Sequence, residues 1–82
     1  MRVRWLPETL GNLDRQLDRI GAEDPRAEAR VARRVREAVE HLAKYPAAGR
    51  SGRVEGTREL VVPDTPAAIR YRVAAHRVEI MP

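Results

Sequence analysis

Two hydrophobic periods alternate along this chain. Over residues 2–6 the period is two: Val3 and Trp5 point one way and Arg2 and Arg4 the other, which predicts a short, half-buried strand. Pro7 then suits the first position of a helix, where its missing N–H is not needed. Leu10, Leu13, Leu17 and Ile20 recur at steps of three and four, forming one helical stripe that Gly21 is expected to end. A second helix is expected from Asp24 as N-cap and Pro25 in the first turn. Val31, Val35, Ala38, Val39 and Leu42 form its buried stripe, and Pro46 lies just beyond its end. Amphipathic helices joined by so tight a break predict an antiparallel hairpin.

From Pro46 to Thr57 the chain carries Gly49, Gly52 and Gly56 among polar residues and reads as a loop. The period then returns to two. Arg58–Val62 is rich in strand formers, Pro63-Asp64-Thr65-Pro66 is a turn by composition, and Ala67–Val73 is a strand with Ile69, Tyr71 and Val73 on one face. Ala74-Ala75-His76 predicts a short connection with poor turn chemistry, since it has neither Gly nor Asn. Val78 and Ile80, opposed to Arg77 and Glu79, complete a last strand.

The expected order is strand, helix, helix, strand, strand, strand. The apolar stripes of the helices and the apolar faces of the strands are both buried if the hairpin packs on one face of a small, mostly antiparallel sheet. The fold class is therefore α+β, and 82 residues form a single domain. The alternation leaves Arg2, Arg4, Arg70, Arg72, Arg77 and Glu79 on the uncovered face. In Arg58–Val62 the parity is ambiguous, because Leu60 and Val62 alternate with Val61; Arg58 is placed on the uncovered face.

Charge sharpens this picture. The net charge is +4, and of sixteen basic residues only Lys44 is a lysine. Arginine's planar fork suits phosphate and carboxylate, so an acidic partner is expected: nucleic acid or an acidic protein segment. The absence of cysteine excludes disulfides and thiolate chemistry. With only His41 and His76, no metal-ligand spacing is visible, and no cofactor is expected. Nothing reads as a secretion signal or a membrane span, which leads to the expectation of a soluble, cytoplasmic protein.

Several phrases add a resemblance. "VRWLP" at the start, "LAKYPAAGRSGRV" at the end of the second helix, "GTRELVV" at 56–62, "IRYRV" at 69–73 and "RVEI" at 77–80 together resemble the ParE/RelE toxin superfamily, often described as plasmid-stabilisation proteins. The resemblance runs from end to end. It implies the same helix-on-sheet fold, and the toxin half of a bacterial type II toxin–antitoxin pair, neutralised by an antitoxin that wraps around it. RelE-like members resemble one another in cutting mRNA on the ribosome, using basic residues and an acid/base group on the sheet. Here Ala67 and Ala68 stand where such members usually carry an aromatic and an arginine, and no tyrosine or histidine follows His76. "GTRELVV" is more similar to the ParE branch, whose members look like inhibitors of DNA gyrase, so the resemblance implies a non-enzymatic toxin, with a ribosome-dependent mRNA endonuclease as the alternative. The family usually continues beyond the "VEI" strand, whereas this chain reaches Met81-Pro82. That implies a last strand cut in its middle, an exposed sheet edge beside it, and a further alternative: a non-toxic homologue that retains antitoxin binding.

Leu10, Leu13, Leu17, Val35 and Val39 are the expected groove for an antitoxin helix, with an extended antitoxin segment following the sheet. Arg58 could instead pair locally with Glu55 or Glu59. Tyr71 and Trp5 are expected in the core, Tyr71 with a buried partner for its hydroxyl. His41, in the last turn of a helix, and His76, in a turn, have no visible catalytic partner. The stretch Arg26–Arg36 with Glu28 and Glu37 reads as a solvated helix face with local ion pairs.

Overall fold

The computed structural model describes all residues, Met1–Pro82. Strand β1 (Arg2–Trp5) leads into helices α1 (Pro7–Glu23) and α2 (Pro25–Lys44), followed by β2 (Arg50–Ser51), β3 (Arg58–Val61), β4 (Ala68–Ala74) and β5 (Arg77–Met81). The strands form one sheet in the order β1-β5-β4-β3-β2. β1 pairs parallel with β5, and every other pair is antiparallel. The two-residue β2 lies in the stretch read as loop, and its pairing with β3 makes a five-stranded sheet.

Helix α2 begins as its sequence dictates. Asp24 Oδ1 accepts the backbone N–H groups of Arg26 and Ala27 at 3.0 and 3.3 Å, and Pro25 occupies the first turn. Helix α1 does not stop at Gly21; it runs to Glu23 and is closed by the Asp24 N–H bonding to Ile20 O at 2.8 Å. Gly21 instead leaves room for the side chain of Glu28 on α2, which a Cβ would meet.

The core is formed by α2 and the middle of the sheet. Val31, Val35, Ala38, Val39 and Leu42 pack with Val62, Ile69, Tyr71, Val78 and Ile80. Each fully buried side chain of this size contributes roughly 1.5–3 kcal/mol relative to exposure. By contrast, α1 has no fully buried apolar residue: Leu13, Leu17 and Ile20 are half-buried against the core, and Leu10 is 45 % exposed. The start of α1 is tied to β5, where Ile80 O accepts from Leu6 N (3.1 Å) and the buried Thr9 Oγ1 (3.2 Å).

The last strand is an interior strand of the sheet, and its register with β4 ends at Met81 opposite Arg70. β5 is hydrogen-bonded on both sides, between β1 and β4, and the sheet edges are β1 and β2. Burial follows from this interior place: Val78, Glu79 and Ile80 are consecutive buried residues.

Tyr71 binds the loop after α2 to the sheet. Its hydroxyl donates to Pro46 O at 2.7 Å and accepts from Gly49 N at 2.8 Å. A Cβ at Gly49 would collide with that hydroxyl, so the close approach needs glycine. The β4–β5 hairpin is less comfortable. Ala75 and His76 have φ of 50° and 63°, the two successive left-handed residues of a type I′ turn, a conformation that Asn-Gly fills without penalty.

Replacing Tyr71 by Phe, which strands one part-buried carbonyl and one buried N–H, is expected to lower the unfolding free energy by about 1–3 kcal/mol in chemical denaturation. Conversely, the double substitution Ala75→Asn, His76→Gly is expected to raise the melting temperature, with a gain on the order of 1–2 kcal/mol.

Candidate functional site

The face of the sheet away from the helices is built from three rows of cross-strand neighbours. Arg2 lies opposite Arg77; Arg4, Glu79 and Arg72 form the next row; Met81, Arg70, Glu59 and Arg50 form the third. The sequence-predicted residues Arg2, Arg4, Arg70, Arg72, Arg77 and Glu79 are thus brought onto one surface. Arg50 and Glu59 join them without having been singled out. The signal for Glu59 was the pattern of β3, in which Leu60 faces Ile69; for Arg50 there was none, because the strand it occupies is created by pairing alone.

Arg58 is the exception. It is registered with the buried Tyr71 and shares the helix-side parity of Leu60, so it lies on the opposite face from that predicted. Its guanidinium donates to Gly49 O at 2.8 Å and Ala47 O at 3.4 Å, and it forms no ion pair with Glu55 or Glu59. A cation is tolerated on the core side because loop carbonyls at the end of the sheet replace its water. Arg58 and Tyr71 together hold the segment from Pro46 to Gly49.

The remaining arginines are not equivalent. Glu79, only 4 % exposed, accepts from Arg72 Nε at 2.6 Å on one carboxylate oxygen, and from Arg77 Nε and Nη2 at 3.0 and 2.9 Å on the other. The bond from Arg72 is the main reason that its carboxyl titrates below the usual carboxylate range. Burial opposes that shift, and the bond from Arg77 and both positive charges reinforce it. Glu59 is held far more loosely, 3.6 Å from Arg50 and 3.9 Å from Arg70. These are ion pairs without hydrogen bonds. Arg2 and Arg4, on the edge strand, are in no ion pair. The centre of the surface is therefore internally satisfied, and its free donors lie toward the two sheet edges.

The second candidate surface lies on the flank of the hairpin. A groove of about 360 Å³ runs between the helices and the β3–β4 turn, lined by Leu13, Leu17, Ile20, Val31 and Val35 on one side and Pro66, Ala67 and Ala68 on the other. Of the predicted groove residues, Leu13, Leu17 and Val35 line it. Leu10 is exposed outside its wall, and Val39 is 9 % exposed in the core, so neither contributes to it. The wall formed by Pro66–Ala68 comes from a turn closed by Val62 N–H bonding to Ala67 O at 2.9 Å, which brings distant sequence beside the helices.

The exposed helix face carries the expected ion pairs, Arg33–Glu37 and Arg34–Glu37 at 3.7 and 3.5 Å, and Arg34 also reaches Asp64 of the β3–β4 turn at 3.2 Å. His41 stacks obliquely on Tyr45, ring centroids 5.0 Å apart, and His76 occupies the strained hairpin. Neither histidine is on the arginine surface. No group of three or more His, Cys, Asp or Glu is placed to hold a metal ion, and no helix is long and apolar enough to cross a membrane.

Because its folded-state pKa is depressed, ionised Glu79 contributes stability that is fully present above its ordinary value of 4.5 and lost as pH falls below it through the folded-state value. Unfolding measured across that range should show wild type more stable than Glu79→Gln at neutral pH. The gap should narrow as the medium is acidified. A gap independent of pH would contradict the assignment.

Comparison with known proteins agrees with this geometry. The pattern described as "ParE toxin of type II toxin-antitoxin system, parDE" matches residues 3–81. A candidate toxin, Y4kP of Sinorhizobium fredii, is 49 % identical over 84 residues, spanning 98 % of this chain and 82 % of the relative. Toxin RelE2 of Caulobacter vibrioides is 38 % identical over 80 residues, spanning 98 % and 89 %. A solved structure from the chromosomal ParDE toxin–antitoxin system of P. aeruginosa shares the fold, with a TM-score of 0.85 at 24 % identity over 98 % of this chain and 89 % of that one. The chain belongs to the ParE toxin family of type II toxin–antitoxin systems.

Proposed function

We propose that this ParE-family toxin acts in the cytoplasm by binding DNA gyrase, without chemistry of its own, and is neutralised by an antitoxin helix seated in the groove lined by Leu13, Leu17 and Val35. The observation that carries the non-enzymatic part is the state of Glu79. It is the most buried ionisable group on the arginine surface, and its carboxyl is held below the usual range by Arg72 and Arg77. A general base works best when its pKa lies near the operating pH, so this carboxylate is a weak one. The surface otherwise offers arginines, which bind and orient but do not exchange protons near neutrality, and Glu59, which lies between Arg50 and Arg70. The half-buried stripe of α1 supports the antitoxin contact, because a partner helix laid along it would cover Leu13 and Leu17.

Purified chain should abolish supercoiling by gyrase at micromolar concentration, and added antitoxin should restore it. Leu17→Glu should leave gyrase inhibition intact while weakening antitoxin binding by on the order of 2 kcal/mol, the scale of a buried interface anchor. Supercoiling that persists alongside codon-specific cleavage of mRNA on ribosomes would replace this reading with the endonuclease one. Absence of both activities, and of growth arrest on expression, would leave a binding-only homologue.

A further inference from the structure

At the β2 end of the arginine surface, Arg50, Ser51, Gly52 and Arg53 converge with Glu59 and Arg70 around an open depression of about 540 Å³. We infer that this corner is a contact site for the phosphodiester backbone of a nucleic acid. The inference does not depend on what the toxin inhibits.

The charge balance is the first reason. Three guanidinium groups face one carboxylate, and that carboxylate lies 3.6 and 3.9 Å from its two neighbours, too far to occupy their donors. Arg53 is in no ion pair. Arg72 and Arg77 each commit their Nε–H to Glu79, whereas the side chains of this corner hydrogen-bond to no carboxylate and keep the whole fork for phosphate oxygens.

The second reason is the anchoring of the loop. Gly52 N–H bonds to Thr57 O at 2.8 Å, and Val54 O accepts both Thr57 N–H (3.1 Å) and Thr57 Oγ1 (2.6 Å). Gly56 turns the chain with φ of +82°, and a Cβ at Gly52 would strike the Thr57 side chain. The backbone carrying Arg53 is thereby tied beside β3 while its side chain stays exposed.

The lining selects between acidic partners. No apolar side chain borders the depression. A docked peptide draws most of its affinity from apolar or aromatic anchors in pockets, whereas phosphate contacts are polar throughout and need none. The arginine surface also presents no aromatic ring for a base to stack on, because Trp5 packs against the core and Tyr71 is buried. The expected contact is with backbone phosphates, without sequence preference. Glu59 would weaken such binding, and its removal would strengthen it.

The test is fluorescence anisotropy of the full chain with labelled duplex DNA, single-stranded DNA and single-stranded RNA, titrated from about 50 to 200 mM salt. Binding to at least one is expected, the preferred form identifying the source of the phosphates. Arg50→Ala/Arg53→Ala should reduce the magnitude of the slope of log K against log salt by about two, and Glu59→Gln should tighten binding. Arg33→Ala/Arg36→Ala removes the same charge from α2 and should leave the slope nearly unchanged. Arg50 and Arg53 are exposed, and circular dichroism would verify that their double variant is folded. Failure to bind any of the three at low salt, or equal losses in the two double variants, would overturn the inference. So would a labelled poly-glutamate peptide that binds more tightly than the nucleic acids with the same dependence on Arg50 and Arg53, which would reassign the corner to an acidic protein.

Discussion

Burial of the α2 stripe against β4 and β5 is the constraint from which the remaining architecture follows. Val31, Val35, Ala38, Val39 and Leu42 meet Ile69, Tyr71, Val78 and Ile80, and these residues make up nearly all of the core. Once that contact forms, the two-residue period of the strands sends the alternate side chains to the far side. An arginine surface is therefore an unavoidable product of packing a hairpin on one face of this sheet. The same contact leaves α1 outermost, touching the core through half-buried leucines, with an apolar groove along its flank. In so small a domain little apolar area is in reserve, and a partner that covers the groove would add stability as well as regulate activity.

On the far side, electrostatics divides what packing has gathered. Six arginines on one pleated surface repel one another, and Arg2 directly faces Arg77. Two glutamates offset this, by different means. Glu79 lies in an interior strand, shielded by the side chains it bonds, and ties Arg72 and Arg77 into one hydrogen-bonded cluster. Glu59, nearer the edge and more exposed, holds Arg50 and Arg70 by ion pairing without hydrogen bonds. Screening by salt weakens the second arrangement more than the first. Arginines hydrogen-bonded to a carboxylate and arginines without such a bond thus lie on the same surface, a few residues apart.

Where a local pattern was at variance with the structure, a distant contact had prevailed. Gly21 carries the signature of a helix end, yet α1 continues to Glu23 and the glycine accommodates Glu28. Arg58 looks like a surface residue by type, but β3 pairs so that it sits beside Tyr71, and loop carbonyls from residues 47 and 49 satisfy it. The poor turn chemistry of Ala75-His76 was visible in the residues themselves, and the structure answers it with two left-handed conformations.

What the sequence determined by itself was whatever depends on neighbours within a few positions. That includes the two helices and the Asp24 cap, four of the five strands (β1, β3, β4 and β5), the side of β1, β4 and β5 to which each residue belongs, and the arginine-rich chemistry of the uncovered face. Only tertiary structure decided that β5 is interior and β1 an edge, that Arg50 joins the surface and Arg58 leaves it, and which guanidinium groups are spent on glutamates. The reason is physical: facing is set by alternation along one strand, but partnership is set by register between strands that are remote in sequence. A shift of two positions in the β4–β5 pairing would keep every side chain on its face yet set Glu79 opposite Arg70 or Ala74 instead of Arg72, without changing a single local pattern.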